Sequence, residues 1–323
     1  MKFTISFDRR DLSTLHNYWD QIIETNKWSE GYFTEKFEEL WSEHNQLYSV
    51  AFSSWAGAAS ALMEYYNIRE KTVLVPSNTF MATPLSVLNV EGKVIFVDCN
   101  RYDLCMSFDD FKKKVDEFKP KAVWIVHIGG HIAFEIDKIT EHCKKEGILF
   151  FEDCAHAHGA EWNGKKPGQW GDAGVYSFYA TKTCTTGEGG MLVTKNKDLV
   201  EFAKKYRNYG KFDYKIKGTN YRMSEFCAAI GVIQVRRLKD IVAFKNEYAK
   251  KLDEKFKNRV IFPEGMISGY YKYIVFEPIE NSTGKVYDQP CHKILNYNLD
   301  LPNTEWISKN HWCVPIYYQS KED

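Results

Sequence analysis

In the stretch SFYATKTCTTGEGG, residues 177–190, a single lysine, Lys182, follows Ser177 and precedes a glycine-rich turn. Upstream, the apolar run ILFFEDC brings Asp153 to the end of a buried segment that opens into CAHAHG. Taken singly, each residue has a plain reading, Asp153 as a helix cap or ion-pair partner and Lys182 as a solvated turn residue. Together they define a chemistry. An amine held near a carboxylate, with hydroxyls and backbone amides at hand, is what pyridoxal phosphate requires. The lysine forms a Schiff base with the cofactor aldehyde, and the carboxylate keeps the pyridine nitrogen protonated so that the ring accepts carbanion electrons. The phosphate needs donors, and VAFSSWAGAASALMEYY (50–66) offers a strand end, two serines and small residues that lead into a helix.

Such groups need elements to hold them. The runs TVLVPS (72–77), KVIFVDC (93–99), AVWIVHI (122–128), ILFFEDC (148–154), AGVYSFY (173–179) and GGMLVT (189–194) are apolar on both faces. Charged helical patterns such as FDDFKKKVDEFK (108–119) and IDKITEHCKKEG (136–147) separate them. This alternation predicts an α/β fold with a mostly parallel central sheet flanked by helices. In such sheets ligands lie beyond the carboxyl ends of the strands, where Asp153 falls. From Arg222 to Asn258 the pattern is helical, and after Pro263 it shifts to turns and short strands, YYKYIVFEP (270–278) being the clearest. The expected division is a large domain over 1–240 and a smaller α/β C-terminal domain over 241–323.

Composition narrows the function classes. Lysine plus arginine equal aspartate plus glutamate, 43 each, so no overall field recruits nucleic acid or an anionic membrane. The start, MKFTISFDRRDLS, has no long apolar core, and no apolar run is long enough to span a bilayer, so a cytoplasmic protein is expected. The eight cysteines are scattered without a CxxC pair, a usage that suits reduced structural thiols.

The segments WSEGYFTEKFEELW (28–41), EDCAHAHGAEWNGKKPGQWGDAGVYSFYATKTCTTGEGG (152–190) and NYRMSEFCAAIGVIQ (220–234) resemble the DegT/DnrJ/StrS family of pyridoxal-phosphate sugar aminotransferases, of fold type I. The resemblance implies that Lys182 carries the cofactor and that Asp153 faces its ring nitrogen. It places His156 near the ring hydroxyl, Ser177 on the phosphate and Phe80 on the ring face. Asn220 would reach the phosphate of the neighbouring subunit, so a homodimer with composite active sites is implied. The first phosphate loop departs from the family's Ser-Gly-Thr or Asn-Gly-Thr by reading Ser53-Ser54-Trp55-Ala56-Gly57. That leaves the phosphate contact open among Ser54, Ala56 and Gly57.

The activity implied is transfer of an amino group from an amino-acid donor, glutamate, to a keto group of a nucleotide-linked deoxysugar. His127, His131, His311 and Tyr317 are candidate substrate contacts, with core or surface packing the competing reading. Within the same family, a dehydratase or a non-catalytic regulator is the alternative. The dehydratases replace the lysine by histidine, and a regulator has no need of it, so Lys182 counts against both. A metal enzyme is the remote alternative, suggested by the close spacing of Cys154, His156 and His158. No second cluster completes such a site, and it would leave Asp153 and Lys182 without a role.

Overall fold

The computed structural model describes residues 4–319. Among them, seven strands form one sheet: β1 (Tyr48–Phe52), β2 (Thr72–Pro76), β3 (Lys93–Val97), β4 (Ala122–Val126), β5 (Leu149–Asp153), β6 (Ala173–Ser177) and β7 (Gly190–Thr194). Their order is β1-β7-β6-β5-β4-β2-β3. Strands β2 to β6 are mutually parallel, and β7 runs antiparallel to both its neighbours. The expected α/β class with a mostly parallel sheet is therefore the observed one.

The helices are α1 (Leu12–Thr25), α2 (Tyr32–Asn45), α3 (Trp55–Tyr65), α4 (Ala82–Leu88), α5 (Phe108–Phe118), α6 (Ile136–Glu146), α7 (Lys197–Tyr206), α8 (Glu225–Lys255), α9 (Cys291–Ile294) and α10 (Pro302–Lys309). Successive residues of a strand point to opposite faces of a sheet, and β2 shows the consequence. Val73 and Val75 join a core with Leu62 of α3 and Leu199 of α7. Leu74, between them, joins a second core with Phe111 of α5 and Ile139 of α6. A third core gathers α1, α2 and α8 around Met191 and Val193 of β7.

Two further strands, β8 (Tyr273–Val275) and β9 (Trp312–Val314), pair antiparallel beyond the main sheet. Helix α8 is continuous over 31 residues, so the division expected at residue 240 falls inside it. The segment around that position contains no glycine or proline that would stop a helix. No helix among the described residues is long and apolar enough to cross a membrane.

Helix α8 also anchors α2. Its first residue, Glu225, is buried and accepts hydrogen bonds from the amides of Gly31 (3.0 Å), Phe33 (2.8 Å) and Thr34 (2.9 Å), and from the Thr34 hydroxyl. These are amides that the first turn of a helix leaves without partners, and a carboxylate there also meets the positive end of the helix dipole. Glu225→Ala is expected to destabilise the fold by about 3 kcal/mol, because several buried donors lose their shared acceptor. The measurement is a lowered urea midpoint at unchanged slope. A change under about 0.5 kcal/mol, the range of ordinary surface substitutions, would discount the cap.

Candidate active site

The carboxyl ends of the parallel strands bring the sequence candidates to one edge. Strand β5 ends at Asp153, β6 at Ser177, and β2 leads into Ser77-Asn78-Thr79-Phe80. Asp153 is buried and held from two sides. Its Oδ1 accepts from the Ala155 amide at 3.0 Å, and its Oδ2 accepts from the Thr83 hydroxyl of α4 at 2.9 Å. Thr83 Oγ1 lies 2.8 Å from Thr79 Oγ1, which ties the carboxylate to the loop after β2. Burial raises the Asp153 carboxyl, while both hydrogen bonds and the charge of Lys182 oppose the rise.

Lys182 follows β6 and is partly buried. Burial brings its ammonium down to about 8; Asp153 resists the shift, and the nearby charge of Lys272 adds to it. Its Nζ stands 4.8 Å from the centre of the Tyr271 ring, and Lys272 Nζ stands 5.1 Å from the same ring. Tyr271 stacks on His156 with ring centres 4.1 Å apart, and its hydroxyl lies 3.2 Å from Thr181 Oγ1. His156 Nδ1 accepts from the Gly129 amide at 3.4 Å, which leaves the proton on Nε2, 3.3 Å from the Tyr287 hydroxyl. Burial lowers His156 well below its ordinary range, so the ring is neutral.

A second group assembles beside Ser177. Ser177 pairs with Gly190 across β6 and β7, and Gly190 pairs with Phe52 of β1. A Cβ on Gly190 would fall 2.2 Å from the Ser54 carbonyl oxygen, so glycine is what lets the loop after β1 close onto β7. Ser54 caps α3, its hydroxyl accepting from the Gly57 amide at 3.2 Å. Trp55 does not crowd this loop. Its ring is buried, its Nε1 donates to the Val175 carbonyl at 3.2 Å, and it meets Trp124 at 5.4 Å. Ala56 is exposed, whereas Gly57 is buried against the Tyr221 ring. Asn220 is exposed, and its neighbour Tyr221 accepts from the Ser53 amide of the same chain at 2.8 Å. Phe80 is 63% exposed, leaving its ring open to contact.

Three of the four candidate substrate contacts lie in the interior. His127 is buried, accepts from the Ala133 amide at 3.2 Å and lies 3.1 Å from Glu152. His131 donates to the Asp103 carbonyl at 2.9 Å, and burial lowers it to about 4. His311 accepts from the Val286 amide at 2.8 Å, donates to the Ile307 carbonyl at 2.7 Å and is also lowered to about 4 by burial. All three are core histidines with internal partners. Tyr317, by contrast, lines a cleft together with Thr181, Tyr271 and Lys272.

Cys154, His156 and His158 do not converge on a common point. His158 is enclosed by Trp41, Tyr176 and Phe178, away from the Tyr271 ring that His156 faces. Cys154 instead groups with His127 and Glu152. That carboxylate is already used: it accepts from the amides of Gly168 (2.7 Å), Trp170 (2.8 Å) and Gly171 (2.7 Å). Tyr271, Lys272, Thr83 and Tyr287 reach the site from segments in which the sequence offers no motif.

The sequence model of the DegT/DnrJ/EryC1/StrS aminotransferase family matches residues 11–268. The GDP-perosamine synthase of Escherichia coli O157:H7 is 34% identical over 228 residues, 68% of this chain and 62% of that protein's length. The UDP-4-amino-4,6-dideoxy-N-acetyl-beta-L-altrosamine transaminase of Campylobacter jejuni subsp. jejuni serotype O:23/36 is 30% identical over 279 residues, 83% of this chain and 72% of that one. Among solved structures, the aminotransferase TlmJ of Streptoalloteichus hindustanus matches with a TM-score of 0.87 and 25% identity, covering 97% of this chain and 92% of that one. A DegT DnrJ EryC1 StrS aminotransferase of Brucella abortus gives a TM-score of 0.89 at 22% identity, with 97% and 93% covered, a likeness of fold.

The electrostatics of Lys182 can be measured directly. Only the neutral amine acetylates, so competitive acetylation read by mass spectrometry should show half-maximal reactivity near pH 8 at this lysine. Lys272→Met removes a repelling charge and should move the midpoint up. Asp153→Asn removes an attracting one and should move it down. A midpoint at the ordinary lysine value in the unmodified protein would refute this reading.

Proposed function

The chain belongs to the DegT/DnrJ/EryC1/StrS aminotransferase family, and from that premise we propose that it moves an amino group from glutamate to a keto group of a nucleotide-linked deoxysugar, with pyridoxal phosphate as cofactor. The observation that carries the reading is Lys182, an amine brought down to about 8 at the mouth of a parallel sheet, within the field of the buried Asp153. A lysine that loses its proton this readily, a fixed carboxylate, and a serine-capped helix N-terminus next to Ser177 suit the aldehyde, ring nitrogen and phosphate of that cofactor.

When bound, pyridoxal phosphate supplies the electron sink for the carbanion formed at the donor's α-carbon. The chain does the rest. Lys182 would carry the cofactor, and its neutral amine would take the α-proton and return it. Asp153, fixed by Thr83 and the Ala155 amide, would hold the ring nitrogen. Neutral His156 would serve the ring hydroxyl and Phe80 the ring itself. Ser177, with Ser54, Ala56 and Gly57, would hold the phosphate, and Asn220 would add a contact from the neighbouring subunit of a homodimer. Tyr317 is retained as a substrate contact because it lines the cleft beside Thr181. The eight cysteines are free, which supports a cytoplasmic location. The large and small domains meet along α8.

Incubating the protein with cofactor, glutamate and a panel of nucleotide keto-sugars should give, by mass spectrometry, one ketone converted to an amine. No conversion with any of them would refute the sugar aminotransferase. Borohydride should fix the cofactor on Lys182, and recovery of the label on another lysine would overturn that assignment.

The composite site has its own test. Lys182→Ala and Asn220→Asp, each inactive alone, are unfolded and reassociated together. If Asn220 serves the partner, one site of each mixed dimer carries both defects and the other neither, so activity returns. If it serves its own chain, beside the Ser53–Tyr221 hydrogen bond, a mixture shown to contain mixed dimers stays inactive.

A further inference from the structure

Lys245 of α8 lies in the interior, and no described residue gives it a counter-ion. Its side chain is buried, and its Nζ donates to the Thr183 hydroxyl at 3.3 Å and to the Tyr270 carbonyl at 3.1 Å. Lys272 is half-buried. Among the described residues neither lysine, nor Lys182, has a carboxylate within ion-pair distance. Both Lys245 and Lys272 line one cleft with Ser6, Thr181, Thr283 and Tyr317, and among the described residues no acidic side chain lines it.

Desolvation of an unpaired amine disfavours its charged form, and an anion placed beside the amine favours that form again. Burial lowers Lys245 to about 7, and the charge of Lys272 adds to the shift. An arriving anion would reverse both effects. Ammonium and hydroxyl donors around an oxyanion make short, charge-assisted hydrogen bonds. The cleft also touches the chemistry, because Lys272 and Lys182 stand over the same Tyr271 ring, at 5.1 and 4.8 Å.

We propose that this cleft is an oxyanion subsite, in which Lys245 and Lys272 receive a doubly charged group of a substrate whose reacting atom lies at Lys182. The site itself follows from the lysines and hydroxyls; naming the group rests on the aminotransferase reading. Under that reading two substrates carry such a group, the dicarboxylate of the amino donor and the diphosphate of the nucleotide sugar.

The test uses the cofactor-saturated protein, so that the cofactor's own phosphate site is filled. Calorimetry measures binding of glutarate, a dicarboxylate without the amine, and of inorganic pyrophosphate. The wild type should bind at least one of them, and Lys272→Met and Lys245→Met should each weaken that binding about ten-fold or more. Lys272→Arg, which keeps the charge, should restore most of it, a rescue that a merely structural role would not give. Loss for glutarate with a raised KM for glutamate alone assigns the subsite to the donor. Loss for pyrophosphate with a raised KM for the nucleotide sugar alone assigns it to the acceptor. Urea midpoints confirm that the variants are folded; where Lys245→Met is not, Lys272→Met and its arginine rescue decide.

Binding of neither anion by the wild type, or binding within two-fold of wild type in folded variants, overturns the subsite. Lysine-dependent binding by a protein that transaminates no sugar would leave the subsite standing and remove only the aminotransferase reading.

Discussion

Burial disfavours the charged form of an amine, and at Lys182 this effect outweighs the attraction of Asp153, leaving the ammonium at about 8. That balance requires both groups to stay where water is scarce, so the surroundings must be stiff. Two adjacent residues of β5 provide much of the stiffness by pointing to opposite sides. Glu152 gathers three amides of the 168–171 segment and faces His127. Asp153 turns the other way, to Thr83 of α4 and through it to Thr79. One strand end thereby pins a loop on one side and a helix on the other.

The long α8 connects this edge to the rest of the molecule. Glu225 at its start caps α2, Gly231 lies against the Phe37 ring, and Lys245 near its end reaches Thr183, the residue after Lys182. Cap, core contact and cleft are carried on one helix.

Much of the fold was legible because strands buried on both faces leave unbroken apolar runs, and each of the six runs read from the sequence contains a strand. The C-terminal region was less so. YYKYIVFEP reads as one strand, yet only Tyr273–Val275 pairs as β8. The segment before it is drawn to the main domain: the Gly269 amide donates to the Gly130 carbonyl and the Lys272 amide to the Gly129 carbonyl, both at 2.8 Å. That detour brings Tyr271 near both Lys182 and Lys272, whose Nζ atoms stand 4.8 and 5.1 Å from its ring centre, and it arises from contacts across more than a hundred residues that periodicity does not encode. Lys182 and Asp153 stood out because each follows a readable strand. The surroundings of the histidines were not legible for a related reason, since residue type signals chemistry while burial and partners come from the fold; His131 and His311 bond backbone groups.

Composition concealed the charge of the site for a physical reason. Equal numbers of acids and bases, 43 each, remove the long-range field but say nothing about a region one Debye length across. Three lysines, 182, 245 and 272, come together from a loop, a helix and the approach to a short strand, and Asp153 is the acid that acts on the first of them. In water such a grouping would disperse, since each ammonium keeps its own solvation; here the fold holds the amines in partly dry positions. The depressed values of Lys182 and Lys245 express that constraint. An anion beside such a cluster would favour its charged amines, so the burial that lowers Lys182 and Lys245 leaves both responsive to a neighbouring negative charge.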